Sequence, residues 1–521
     1  MTIRTMDPQH QQLKQRAAQL MSIGNVSGAG ELLEEMVSRY PQDWLSAVQL
    51  AEIYQSQQRF DAALKLVDQA LAIQPDNAKL IAKYGLIAQQ AGQPRLGADA
   101  YQRALRRAPS QFAHLHFNLG NSFYALGDFE SAAQSYETFL AGKPDHVNAR
   151  SNLAMALERL FRFDDAAAQW ESLNEAEPHE SRWAVLRAAL ELKRESLEAA
   201  DQALEIAATR GADDETYLLN LASLRFEQGR HQESLQVLDR LAAKTGGAPQ
   251  DPGAQRLRFL NDFQAGHYPS CLDQADQLVA GSNRETAMIV LSLLPQVWLE
   301  SGEGERAREA QRFSELVQRS RPSLDPVIFP ALEEQILCHP SLEFEPVTTS
   351  THNGSQTQSL LVPGSSEIDA LLAQLRSAAV AQASLIRRTD TRYGSLLPES
   401  GRIKMWAVTL SSGGFQGSHM HPHGVISGVF YLKVPVGDNP DEGALELGFP
   451  EPKFQLSTPP LTSLQRVVTG DLVLFPSWYF HRTLPFSSEE RRISIAFDVV
   501  PPDSPEWHDP GLSDVFSLTA S

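Results

Sequence analysis

Five prolines set the frame of this chain. Pro41, Pro75, Pro109, Pro144 and Pro178 follow one another at spacings of 34, 34, 35 and 34 residues. Proline has no N–H to donate and disfavours helix at the residue before it, so each one reads as the stop of a helix. Between the prolines the same residue types return in order. A first helical stretch carries Leu50-Ala51, Tyr84-Gly85, Leu119-Gly120 and Leu153-Ala154, where the small residue admits close approach of a second helix. A polar turn follows at 58–60, 92–94, 127–129 and 161–163. Then come Ala62-Ala63, Gly97-Ala98, Ala132-Ala133 and Ala166-Ala167, and after them Leu66, Tyr101, Tyr136 and Trp170. A two-helix unit of this size cannot bury its apolar face alone, so it stacks on its neighbours.

This pattern resembles the tetratricopeptide repeat family, whose unit is 34 residues. The match is strong over 42–178. It weakens through Leu221-Ala222 with Gly229 and Trp298-Leu299 with Gly302, and 187–207 is degenerate. The resemblance implies an all-α solenoid of seven to eight repeats over 41–320, preceded by capping helices in 1–40. It also implies a groove that binds a protein or peptide partner, lined by first-helix residues such as Asn118, Asn121, Arg150 and Asn152.

Composition narrows the function classes. The 521 residues carry 45 Lys plus Arg against 64 Asp plus Glu, a net charge of −19. Binding to nucleic acid rests on cations neutralising phosphates, so no nucleic-acid partner is expected. No apolar run reaches the roughly 18 residues of a membrane helix. Residues 1–24 lack the apolar stretch of a signal peptide, which leads to the expectation of a cytoplasmic protein with no membrane partner. The two cysteines, Cys271 and Cys338, form no CxxC motif and read as buried small hydrophobes in a reducing compartment.

Helical periodicity fades after Arg321-Pro322. Residues 347–358 are polar and turn-rich and read as a loop, and 366–380 has the spacing of one more helix. From Arg402 the pattern alternates, predicting strands over 403–410, 425–434, 444–449, 464–468, 471–475 and 492–500. Short strands separated by Gly/Pro turns predict a sandwich or closed barrel within a domain spanning 341–521.

Three of the 14 histidines stand in Ser418-His419-Met420-His421-Pro422-His423-Gly424. On an extended segment His419 and His421 point to one face, and His423 joins them only if the strand continues past Pro422. A second segment, Gly470 to His481, reads as a glycine turn, a buried strand and a histidine just beyond it. Imidazole is a ligand for iron, zinc, copper and nickel, and adjacent barrel strands can bring such groups together. Arg492 and Ser494 follow on the last long strand. Facing a barrel interior, they are costly unless they bind something, and a carboxylate is the natural partner of a guanidinium. Trp406, Tyr431 and Trp478 read as barrel packing, and Arg491 as solvated.

These segments together resemble the iron- and 2-oxoglutarate-dependent oxygenases, and among them a bacterial family that often follows tetratricopeptide repeats. The matching text is His419-Met-His421-Pro-His423, Ile426 to Leu432, Gly470 to His481, and Arg492 to Phe497, within 341–500. The resemblance implies a double-stranded β-helix (jelly roll), Fe(II), and 2-oxoglutarate as co-substrate. It implies His481 as the distal metal ligand, His421 with His419 or His423 as proximal ligands, and Arg492 and Ser494 as holders of the far carboxylate of 2-oxoglutarate. One departure stands out. The superfamily's His-x-Asp motif supplies a carboxylate ligand, yet no Asp or Glu occurs between Ser400 and Gly437.

The leading expectation is an oxygenase that hydroxylates a protein or peptide brought by the repeats. A cupin-type metalloenzyme would leave Arg492 and Ser494 unexplained. A repeat scaffold with an inactive barrel would account for the missing carboxylate.

Overall fold

The computed structural model describes residues 7–247, 251–281, 283–346, 350–361, 364–389, 391–437, 439–507, 509 and 511–519. The chain forms two compact units, Met1–Ala212 and Asp213–Ser521.

The first unit is a stack of helical hairpins: Pro8–Ser22 with Val26–Arg39, Trp44–Ser56 with Phe60–Ile73, Ala78–Gln90 with Pro94–Arg107, Leu115–Ala125 with Phe129–Gly142, Val147–Arg159 with Phe163–Ala176, and Arg182–Lys193 with Leu197–Thr209. Each of the five prolines stands two residues past the end of a second helix, at Arg39, Ile73, Arg107, Gly142 and Ala176. The residue in between (Tyr40, Gln74, Ala108, Lys143, Glu177) has ψ of 65°, 64°, 74°, 71° and 69°, outside the helical region that its following proline disfavours. At the other end of each hairpin one residue turns into the left-handed region: Gly24, Gln58, Gly92, Gly127, Phe161 and Glu195. The turn geometry therefore repeats even where the residue type does not. The small first-helix position also has its expected cause. A Cβ on Gly120 would lie 2.6 Å from the ring of Tyr136, which is buried and donates from its hydroxyl to Asn121 Oδ1 at 2.8 Å.

Three further hairpins belong to the second unit: Glu215–Glu227 with His231–Thr245, Pro252–Gln264 with Tyr268–Gly281, and Arg284–Glu300 with Gly304–Gln311. After them come helices Ile328–Leu337 and Ser366–Thr389 and an antiparallel sheet. Its strands are β1 (Gln318–Ser320), β2 (Glu343–Phe344), β3 (Thr351–Gln356), β4 (Ser400–His419), β5 (Ile426–Lys433), β6 (Leu445–Leu447), β7 (Ser463–Gln465), β8 (Leu472–Pro476), β9 (His481–Thr483), β10 (Arg492–Val500) and β11 (Phe516–Ser517). The order β1-β8-β5-β10-β4-β9-β6-β7 curls into a jelly roll. The 20-residue β4 is its spine: its first half pairs with β10, and its far end pairs with β9 through Gln416 and His419.

Three expectations are corrected. Residues 347–358 are not all loop, because Thr351–Gln356 forms β3 on the edge of β4, with Ser355 opposite Thr409. Its sequence has little strand propensity, and pairing with β4 overrides that; Val347–Thr349 lie outside the described residues. The helix expected over 366–380 runs on to Thr389, burying Ala383 and Ile386. Of the cysteines, Cys271 is buried but Cys338 is exposed.

Within the second unit the segment between β6 and β7 is fastened to the repeat helices. Glu300 accepts from the backbone N–H of Ser457 and of Thr458, both at 2.9 Å, and Gln296 donates to the Thr458 carbonyl at 2.8 Å. Gln264 accepts from the Gln455 N–H, and the Phe263 and Phe454 rings meet edge-on. Among the described residues no helix is long and apolar enough to cross a membrane.

Candidate metal centre

The barrel's register builds the site. His419, the last residue of β4, stands opposite His481, the first of β9. Two residues on, after β4 has ended, His421 turns to the same place. Ring centroids are 4.2 Å apart for His419 and His481, 5.1 Å for His419 and His421, and 4.8 Å for His421 and His481. One ring nitrogen from each lies within 4.8 Å of the others. His423 is not part of this cluster.

The second nitrogen of every ring is occupied by an acceptor. His419 Nδ1 lies 2.8 Å from the Gly417 carbonyl, and His481 Nδ1 lies 3.1 Å from the Tyr479 carbonyl. His421 Nδ1 lies 2.8 Å from Asp498 Oδ1. Carbonyl and carboxylate oxygens only accept, so all three rings carry a proton on Nδ1, which leaves Nε2 as the nitrogen available to a metal. His419 Nε2 makes only a long 3.4 Å contact, to the Ser350 hydroxyl. Burial, and then the neighbouring His421, push the His419 pKa down to about 3. Burial and both other histidines hold the His481 pKa well below the ordinary histidine value. Neutral imidazoles with free lone pairs are the form a metal binds.

β10 carries the rest of the site. Its alternate residues Arg492, Ser494, Ala496 and Asp498 share one face. Across β5, Ser494 stands opposite Tyr431, Ala496 opposite Val429, and Asp498 opposite Ser427. Trp406, Tyr431 and Ser494 line the same cavity as the three histidines. Arg492 is 1% exposed, with its guanidinium carbon 5.1 Å from the Tyr431 ring centre. Its Nη1 makes one long bond, 3.4 Å, to Ser494 Oγ, while Nε and Nη2 are buried with no partner among the described residues. Unmet N–H groups on a buried cation are expensive, so Arg492 calls for an anion with two acceptor oxygens.

Asp498 stands at the other end of β10. Burial opposes its ionisation, but His421 and the Ser427 hydroxyl, which donates at 2.6 Å, hold its pKa below the ordinary value. The loop after His421 passes directly over it: a Cβ on Gly424 would sit 2.9 Å from Ser477 Oγ and 3.2 Å from Asp498 Cγ.

The sequence-predicted residues His419, His421 and His481 are thus brought together in a cavity that Ser494 also lines, and Arg492 lies beside Ser494 on the same face of β10. Three contributors escaped sequence reading: Asp498, Ser427 and Tyr431. The period-2 alternation that placed Arg492 and Ser494 on one face continues to Asp498 and could have found it. Trp406 does pack, but against His421, at 5.5 Å between ring centroids. The groove residues of the repeats are partly engaged already: Asn152 donates to Asn121 Oδ1 at 2.8 Å, and Arg150 bonds Gln169 and the Pro144 carbonyl.

Fold and site together define a tetratricopeptide-repeat protein with a histidine-bearing jelly-roll domain. Residues 404–498 match the family described as "Putative 2OG-Fe(II) oxygenase", and 20–87, 117–178 and 185–252 match tetratricopeptide repeat families. The chain therefore carries tetratricopeptide repeats and a C-terminal domain that matches this oxygenase family over 404–498. Among curated proteins it is similar to Cellulose synthase operon protein C of Xanthomonas axonopodis pv. citri (strain 306), 28% identical over 309 residues, 56% of this chain and 20% of that protein. It is also similar to the Mus musculus Protein O-mannosyl-transferase TMTC1, 26% identical over 163 residues, 30% of this chain and 17% of that one. The chain spans about a fifth of the length of these relatives. Solved structures similar to parts of it include MamA, at 17% identity and TM-score 0.31, covering 33% of this chain and 94% of that one. YrrB, described as a TPR protein with an unusual peptide-binding site, matches at 19% identity and TM-score 0.32, covering 36% and 97%.

Proposed function

We propose that this protein is an Fe(II)- and 2-oxoglutarate-dependent oxygenase that hydroxylates a protein or peptide recruited by its repeats. The observation that carries the reading is the pairing of two unmet needs in one barrel. Three clustered imidazoles, that of His481 buried, each offer a ring nitrogen within 4.8 Å of the others, and the buried Arg492 guanidinium, beside Ser494 on the same face of β10, has two N–H groups without acceptors among the described residues. The first need fits a divalent metal, and the second fits a carboxylate.

In this reading His419, His421 and His481 hold the iron. Arg492, Ser494 and the Tyr431 side of the cavity hold the far carboxylate of 2-oxoglutarate. With both bound, the centre would supply O2-dependent oxidation of a substrate, one oxygen atom going to the substrate and the other into succinate as 2-oxoglutarate loses CO2. The protein's own residues bind and orient. The Gly417 and Tyr479 carbonyls fix the tautomers of His419 and His481, and the apolar residues around the cavity exclude water. The repeats would contribute binding energy remote from the reacting carbon, as tetratricopeptide arrays generally serve protein–protein interaction. The unmet Nε and Nη2 of Arg492 speak against a cupin-type centre, which has no use for them.

The test is Fe(II)-dependent formation of succinate from 2-oxoglutarate by the full chain, with His481→Ala and Arg492→Ala as controls. Turnover by the wild type, lost in both variants, is the expected result. Turnover that persists in Arg492→Ala would contradict the assignment.

A further inference from the structure

We infer that Asp498 is the positioning carboxylate of this centre and supplies, one hydrogen bond away from the metal, the negative charge that the three-histidine ligand set lacks. The inference rests on the oxygenase reading of the site.

The geometry is specific. Asp498 Oδ1 accepts from His421 Nδ1 at 2.8 Å and from Ser427 Oγ at 2.6 Å. The Ser427 and Ser477 hydroxyls are 2.9 Å apart, and the His421 backbone N–H donates to the Ser477 carbonyl at 3.2 Å. His421, which lies beyond the end of β4, is therefore held from two sides by groups on β5, β8–β9 and β10. Lys404, the register partner of Asp498 on β4, is engaged with Glu506 at 2.8 Å. That leaves His421 as the basic group bonded to Asp498. Taking a carboxylate out of water costs several kcal/mol, so a buried one needs a compensating partner.

Charge accounting explains what it compensates. A metal dication and the Arg492 cation face a dianionic co-substrate and one protein carboxylate, which balances. A facial triad would reach the same balance with its carboxylate on the metal. Here three neutral imidazoles bring no charge, and Asp498 restores the balance through His421. A carboxylate on Nδ1 also raises the basicity of Nε2, strengthens its bond to a metal and fixes the ring plane. The neighbouring histidines have only carbonyls behind them, so His421 is the strongest donor of the three.

The experiment compares Co(II) affinity and the visible Co(II) absorption spectrum of wild type, Asp498→Asn, Ser427→Ala and His423→Ala, all full length and metal-stripped. Asp498→Asn keeps an acceptor for His421 but removes the charge. It should lower Co(II) affinity by about 10- to 100-fold and shift the visible bands. Ser427→Ala, which removes a donor to Asp498 but no charge, should lower affinity less, and His423→Ala should match wild type. Should Asp498→Asn fail to fold, the Ser427→Ala affinity and spectrum decide alone, and wild-type values there overturn the inference. A folded Asp498→Asn with wild-type affinity and spectrum overturns it while leaving the oxygenase reading intact. A wild type that binds no metal overturns both.

Discussion

His419 and His481 face each other across the β4–β9 pair, with ring centroids 4.2 Å apart and both Nδ1 atoms tied to backbone carbonyls. Two neutral imidazoles at this separation gain little from each other. Their arrangement makes sense as half of a metal site, and the metal should then stabilise the fold. At a free concentration 100 times Kd, a metal that binds only the native state adds about 2.7 kcal/mol. Thermal denaturation with and without Co(II) should show that gain in wild type and lose it in His419→Ala and His481→Ala. An unchanged melting temperature in wild type would count against the site.

Arg492 predicts a trade between stability and function. Its Nε and Nη2 atoms are buried without partners, so Arg492→Met removes an unmet desolvation cost of about 1–3 kcal/mol. The metal-free variant should be more stable than wild type in urea, yet bind no 2-oxoglutarate. A destabilised Arg492→Met would mean that the Tyr431 ring and the Ser494 hydroxyl outweigh the two unmet N–H groups.

In the repeats, Gly120→Ala should be destabilising out of proportion to its size. The added methyl would meet the buried Tyr136 ring at 2.6 Å, and overpacking of this kind costs about 1–3 kcal/mol. Glu195→Gly should act in the opposite sense. Glu195 sits at φ 57°, where other hairpin turns place glycine, so relief of left-handed strain should add up to about 1 kcal/mol. Urea unfolding of the two variants tests both signs.

Glu300 on a repeat helix bonds two backbone N–H groups of the segment that joins β6 to β7, and Phe454 of that segment packs edge-on against Phe480, next to His481. Glu300→Ala should loosen this wall of the barrel without touching the metal ligands. Hydrogen exchange of residues 449–458 should accelerate, while Co(II) affinity stays within about twofold. Unaltered exchange would show that the segment is held by its other contacts.

Much of this architecture was legible in the sequence because it rests on local rules. The five prolines end helices wherever they occur, and the register of the repeats follows from them. His419 and His421 share a face because a strand has a period of two. What was hidden depends on long-range pairing. Nothing local marks Thr351–Gln356 as a strand until β4 offers it an edge. The bond between His421 and Asp498 joins positions 77 residues apart, so a search for a carboxylate near the histidines misses it, and only the alternation along β10 points to its face. Tyr431 read as packing because its place beside Arg492 is set by the β5–β10 register.

The central claim is that one barrel binds a metal and a dicarboxylate together. Anaerobic calorimetry of 2-oxoglutarate titrated into the Fe(II)-loaded full chain tests it without knowledge of the substrate. The account predicts one site per chain, lost in Arg492→Ala, which still binds iron, and lost with the metal in His481→Ala. Iron binding by the wild type with no 2-oxoglutarate affinity, or equal affinity in Arg492→Ala, would contradict it.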